Sequence, residues 1–297
     1  MKPFTALLLN TFQKEYRNKV LIFLSLLTIV VLFLLNAGLD FVAKQAQSQT
    51  EAGDLIKFKL GYFYSIIGIW SGLLAGLLGV NCVRSDFEHR MIAQILSFPI
   101  RRFEYLIARI LGSWLLIVIY YLISISLALI YFSYQSKGLA FEWRILGALG
   151  VSSLSMLVYV VLGALLSLFM PKLLAFLTLL LTGLFMNISN WYYKYISFGE
   201  TFKELNFFKG IGLFFHHALP RVGVVNDLAD MVQGPSRIES YDFWKGTIFV
   251  KKTVLGAIST GDIAKLNVWV EAGHFAITFA ILAALLYLVF RRTDPEL

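Results

Sequence analysis

The sequence predicts an all-α integral membrane protein, and three observations predict it. Of its 297 residues, 58% are hydrophobic and 15% charged, where soluble domains carry about 25% charged residues, and mean hydropathy is +0.74. Six apolar stretches approach or exceed the roughly 20 residues of a helical crossing: Val20–Gly38, Gly61–Val83, Ile107–Tyr131, Ile145–Met170, Leu173–Trp191 and Ala272–Phe290. None has Asp, Glu, Lys or Arg in its middle. Their apolar residues run continuously instead of alternating, and lipid satisfies backbone groups only in helices or closed barrels, so the runs read as helices. A large soluble catalytic domain does not fit beside them.

In chain order, residues 1–19 come first, with Phe4, Leu7, Leu8 and Phe12 at helical spacing and Lys14, Glu15, Arg17 and Lys19 behind them. That pattern predicts an interfacial amphipathic helix entering the first span. The span itself is longer than a signal-peptide core and lacks a clear small-x-small cleavage site after it, so it reads as uncleaved. A loop is expected over 39–60. The second span contains Gly68, Gly72, Gly76 and Gly79, a four-residue spacing that lets helix backbones approach closely. It serves either packing within the protomer or the lining of a dimer seam or substrate path.

Between the second and third spans lies a polar segment, 84–109. Ile92, Ile95 and Leu96 share one helical face while Glu88, Arg90 and Gln94 point elsewhere. Ser97-Phe98-Pro99 should then stop the helix, since proline disfavours helical geometry in the residue before it. Two readings stay open: a short helix beneath the membrane that receives force from a partner, or an interfacial loop with snorkelling arginines. The 135–144 loop, the tight Met170-Pro171-Lys172 turn and a long segment from Tyr192 to about Val270 complete the connections. This last segment is expected to be a helical cap, with helices near Thr201–Phe215 and Val222–Val232 ending at Gly234-Pro235. Re-entrant passage of Gly210–Ala218 is a second option.

Basic residues orient the bundle. Lys2, Lys14, Arg17, Lys19, Arg84, Arg90, Arg101, Arg102, Arg109, Lys172, Arg291 and Arg292 fall on one side, against Lys44, Lys57, Lys59, Lys137 and Arg144 in the short loops of the other. The richer side is cytoplasmic by the positive-inside rule, which puts both termini inside. Trp143, Trp191 and Trp269 then sit at outer helix ends, as an aromatic belt requires. The net charge of +8 is this same bias, so nucleic acid is not an expected partner while membrane lipids are. The single cysteine, Cys82, excludes an intrachain disulfide or thiolate cluster.

Candidate chemistry is sparse. Asn81, Ser152, Ser153, Ser155, Thr178, Thr182, Asn187 and Ser189 supply uncharged polarity inside the spans, for interhelical bonds or for an amphipathic cargo. His216-His217 with Asp227 and Asp230 invites a metal or hydrolase reading, but the spacing matches no zinc pattern and an interfacial histidine pair is expected. Glu271 and His274 are spaced to share a helix face. There is no Gly-x4-Gly-Lys-Ser/Thr phosphate loop, and no mid-span charge of the kind that couples ion gradients.

Three short stretches resemble the type 2 ATP-binding-cassette (ABC) exporter permeases. Lys14-Glu15-Tyr16-Arg17-Asn18-Lys19 is similar to their elbow before the first span. Glu88 followed by Ile95-Leu96-Ser97-Phe98-Pro99-Ile100-Arg101-Arg102 and Arg109 is similar to their coupling segment, although Arg90-Met91 stands where they commonly have Gly-Thr or Gly-Ser. Phe290-Arg291-Arg292-Thr293-Asp294 resembles their C-terminal motif. The resemblance implies a six-span permease in a plasma membrane (a bacterial inner membrane), paired with a second copy or a homologous permease and with two ABC ATPase subunits. ATP and Mg would be bound by those partners and no cofactor by this chain. It further implies that the ATPases dock at Glu88, Arg90, Ile95, Pro99, Arg101 and Arg102, with the elbow at Lys14, Glu15 and Arg17. A membrane-embedded lipid-modifying enzyme and a nontransporting envelope scaffold are the alternatives.

Overall fold

The computed structural model describes residues 3–17, 20–45, 52–98, 100–136, 143–198, 210, 214–233, 238–242, 247–254 and 257–293. Nine helices can be placed among them: α1 (Pro3–Arg17), α2 (Val20–Gln45), α3 (Ala52–Glu88), α4 (Met91–Ser97), α5 (Arg102–Ser136), α6 (Trp143–Phe169), α7 (Lys172–Phe198), α8 (Val222–Gln233) and α9 (Val268–Arg292). A shorter helical turn covers 214–218.

Every expected span falls on a helix, and the helices exceed the apolar runs. The 37 residues of α3 extend about 56 Å at ~1.5 Å per residue, well beyond a hydrocarbon core of about 30 Å. Much of the loop expected over 39–60 is therefore helical, to Gln45 and again from Ala52. Helix propensity continues through polar residues once a span is nucleated, so hydropathy marks the crossing but not the helix end. Among the described residues, four stretches are long and apolar enough to cross a membrane: Ile66–Glu88, Arg102–Tyr131, Leu146–Phe169 and Trp269–Arg292. Shorter apolar helical stretches, Ser25–Leu34 and Lys172–Ile188, lie in α2 and α7.

The bundle is organised around α6, which packs against α3, α5, α7, α8 and α9. Its side chains from Val158 through Ala164 are nearly all buried. One apolar core joins α3, α5 and α6 through Ile67, Leu74, Leu78, Ile117, Tyr121 and Met156. A second joins α1, α4, α5, α6 and α9 through Leu7, Ile92, Leu106, Val161, Leu286 and Phe290.

The segment expected to be a helical cap is only partly so. Val222–Gln233 is helical as expected, while most of 201–215 lies outside the described residues. Helix α8 packs between neighbours with Val222 and Ala229 fully buried, so it inserts into the end of the bundle against α6 and α7. After it comes an antiparallel meander, β1 (Ile238–Asp242), β2 (Thr247–Val254) and β3 (Ala257–Asn267), in the order β1-β2-β3. This corrects the helical expectation for that stretch. Thr247, Ile248, Val250, Thr253 and Val254 make β2 rich in β-branched residues, which favour strands, and the register slips between Lys251 and Thr253.

Candidate functional site

One end of the bundle centres on the short helix α4, held between the end of α3 and the start of α5. Arg90 enters it with φ 54°, in the left-handed region, a conformation that is costly for a residue with a Cβ and that turns the chain sharply out of α3. Ile92 is buried at 1% exposure, with Ile95 and Leu96 packed against the same core. The opposite face shows Met91 and Gln94, followed by Phe98 at 65% exposure. Phe98 is extended (φ −75°, ψ 158°) and ends the helix, the geometry required of a residue before proline. Pro99 itself lies outside the described residues. Helix α5 restarts with a capping arrangement in which the Arg101 backbone N–H donates to Glu104 Oε2 at 3.3 Å.

Glu88, Arg90, Arg101 and Arg102 have separate fates. Glu88 forms ion pairs with Lys172 Nζ at 2.5 Å and with Arg84 Nε at 3.5 Å, so its carboxylate ties α3 to the first residue of α7. Arg102 Nη1 donates to the Arg291 carbonyl at 2.8 Å, where a cation meets the unsatisfied carbonyl end of α9. Arg90 and Arg101 are exposed. Lys14 points inward, and the side chains of Glu15 and Arg17 lie outside the described residues.

Behind α4 is a buried ionic cluster that sequence reasoning did not single out. Asp86, fully buried, accepts Arg109 Nη2 at 2.6 Å, Lys14 Nζ at 3.0 Å and the Tyr105 hydroxyl at 2.7 Å. Arg109, 2% exposed, donates from Nη1 to Thr11 Oγ1 at 3.0 Å, and Thr11 in turn donates to the Leu7 carbonyl at 3.0 Å. Lys14 also meets the Ser85 hydroxyl. The guanidinium lies 5.7 Å from the centre of the Tyr105 ring, within reach of its π face. One carboxylate thus joins α1, α3 and α5. A Cβ on Gly112 would come within 2.9 Å of Thr11, so the absence of a side chain there lets α1 lie against α5. The signal was present in sequence as helical spacing, Leu7, Thr11 and Lys14 on one helix and Tyr105 and Arg109 on another, but nothing local says that both faces converge on Asp86.

The glycine stripe divides. A Cβ on Gly79 would fall 2.7 Å from the Val160 carbonyl oxygen, and one on Gly76 2.8 Å from Leu179. Gly163 on α6 meets the α3 backbone in return, at 3.1 Å from Val80 N. These positions form a close crossing of helices. Gly68 has open space and Gly72 only ordinary contact with Tyr159 at 3.9 Å. Both line a cavity of about 430 Å³ between α3, α5, α6, α7 and α8.

At the other end, His216-His217 belongs to a clasp. Arg221 Nη1 donates to both carboxylate oxygens of Glu271, at 2.8 and 2.7 Å, and Arg221 Nη2 lies 3.1 Å from His217 Nδ1. His274 Nε2 reaches the His217 carbonyl at 3.1 Å. Burial first, then the Arg221 charge and the neighbouring histidines, push His216 down to about 3, so it stays neutral. The clasp pins the start of α8 to the start of α9. Among the described residues no group of three His, Cys, Asp or Glu is placed to hold a metal.

No curated protein matches the sequence. The family described as "ABC-2 family transporter protein" matches residues 6–295, a span that starts within α1 and runs past the last residue of α9. On that match and on this architecture, the chain belongs to the ABC-2 transporter family, as the membrane-embedded permease subunit of an ABC transporter.

Proposed function

We propose that the chain is the permease of an ATP-driven exporter, which moves its substrate out of the cytoplasm or out of the inner leaflet. Six spans with both termini inside, a second copy or a homologous permease, and two ABC ATPase subunits at the inner face complete the assembly. ATP and Mg belong to the partner chains.

The observation that carries the reading is the construction of α4. It shows Met91, Gln94 and Phe98 outward and is backed by Ile92 in the core. Its two flanking helices are joined to each other and to α1 by the Asp86 cluster. A buried ion pair such as Asp86–Arg109 is a stiff joint, because separating the partners strands a charge in low dielectric. Displacement of α4 is therefore passed to α1, α3 and α5 together instead of being absorbed in a loop. Lys172 and Arg102 extend the joint to α7 and α9.

The test is affinity purification of the tagged chain from its native membrane. A P-loop ATPase should co-purify stoichiometrically, and Met91→Glu with Phe98→Glu should lower its recovery at least tenfold while the permease still elutes as a folded species. Recovery unchanged by those substitutions would remove α4 as the docking element, and recovery of a lone chain that turns over lipid head groups would replace transport with enzymology.

A further inference from the structure

The cavity between the spans has a composition that selects its occupant. None of its lining residues is Asp, Glu, Lys, Arg or His. A phosphate or ammonium group inside it would give up water without gaining a counter-charge, which disfavours charged head groups.

Neutral hydrogen-bonding groups are nevertheless concentrated there. Tyr159 accepts one long bond from Asn187 Nδ2, at 3.4 Å, while its own hydroxyl proton has no acceptor among the described residues. Asn187 spends its amide protons on Tyr159 and on the Gly183 carbonyl at 2.9 Å, which leaves its carbonyl oxygen to accept. Asn226 adds a second carboxamide from α8. The Tyr159 ring is seated by Gly183, where a Cβ would meet it at 2.9 Å.

The volume of about 430 Å³ equals that of about fourteen water molecules at ~30 Å³ each, enough for a single sugar-sized group. The rim is apolar and faces outward: Ile69 is 65% exposed, Leu184 56% and Leu180 37%.

We propose that this cavity binds an uncharged amphiphile, with a hydroxyl- or amide-bearing head seated against Tyr159, Asn187 and Asn226 and an apolar tail leaving between α3 and α7. The site belongs to the permease chain alone, so it stands or falls separately from ATPase docking.

The experiment uses the full chain in phosphatidylcholine nanodiscs and a monoglucosyl diacylglycerol with a diazirine in its tail. Cross-links should map to α3 and α7 peptides containing Ile69, Leu180 or Leu184. Gly68→Leu fills the cavity from a position with open space around its Cβ and replaces the poorer helix former. It should lower labelling at least tenfold with the melting temperature unchanged or raised. Tyr159→Phe keeps the ring and removes the hydroxyl, and should lower labelling about fivefold, in line with one lost hydrogen bond; it serves alone if Gly68→Leu does not fold. Free glucose should not compete, and a diazirine phosphatidylglycerol should label both forms equally. Undiminished glycolipid labelling in the folded variants would overturn the proposal. So would a Gly68→Leu-sensitive phosphatidylglycerol signal, or competition by free glucose, which would make the occupant an anion or a soluble sugar.

Discussion

At the scale of residues, Asp86 is the group on which most depends. It balances one of the two cations beside it, so Asp86→Asn leaves Arg109 and Lys14 without a counter-charge in a buried site. Breaking a buried pair from one side costs roughly 3 to 5 kcal/mol. Thermal unfolding in detergent should therefore shift down by several degrees for Asp86→Asn. A double variant, Asp86→Asn with Arg109→Gln, should recover at least half of the loss, because it removes the stranded guanidinium as well. A double variant no more stable than the single would mean that the cluster contributes packing and not charge balance. His216 makes a second residue-level claim. Its pKa is depressed from the ordinary 6.5 to about 3, so below pH 6.5 the unfolded chain takes up a proton that the folded chain refuses. Stability is then fully present above pH 6.5 and falls as pH drops toward 3. At ~1.4 kcal/mol per pH unit the loss reaches roughly 2 kcal/mol by pH 5. Melting curves at pH 7.5 and pH 5 should show a larger acid loss for the wild type than for His216→Asn; equal losses would contradict the assignment.

At the scale of elements, α3 behaves as two half-stripes of glycine with different duties. Gly79→Ala would drive a methyl group into the Val160 carbonyl oxygen at 2.7 Å, and backbone cannot move aside as a side chain can. Gly68→Ala meets nothing within 4 Å and gains helix propensity of up to about 1 kcal/mol. Opposite changes in melting temperature are expected from two substitutions of identical chemistry on one helix. If both destabilise alike, the close crossing extends along the whole stripe and the cavity is smaller than it stands here. Sequence spacing named all four glycines and left packing and lining open, and only the positions of α6 and α7 against one end of α3 decide between them. The short helix α4 and its packed face were legible to a comparable degree. Ile92, Ile95 and Leu96 were assigned to one face, and they pack on the core together. The stop at Phe98 followed from the proline behind it. The sheet after α8 was not legible, because Lys251-Lys252 interrupts the apolar pattern of β2 and the long segment offered a better helical signal in Val222–Val232.

At the scale of the whole molecule, composition and six apolar runs were enough to give a multi-pass membrane protein, since the cost of unsatisfied backbone in lipid leaves so few architectures. What they could not give is how the helices meet. Lys14 and Asp86 are 72 positions apart and Arg102 and Arg291 189 apart, and each end of such a pair reads by itself as an ordinary basic or acidic residue near a membrane surface. The same holds for Arg221 and Glu271, which close the other end of the bundle across 50 positions. Long-range polar pairs thus fasten both ends of an apolar bundle whose middle holds a neutral cavity.

The central claim is that a partner ATPase engages this bundle through α4, and contact is the quantity to measure. A benzophenone reagent would be attached to Gln94→Cys, which lies on the exposed face of α4, and in parallel to Lys137→Cys, which follows α5 in the sequence on the expected opposite side. The native Cys82 is buried at 3% exposure and should not take the label. Illumination of intact vesicles of the native membrane should join the Gln94→Cys chain to a P-loop ATPase, giving an adduct of permease plus ATPase mass, and Lys137→Cys should give none. An ATPase adduct from Lys137→Cys with none from Gln94→Cys would contradict both the orientation and the coupling role assigned to α4.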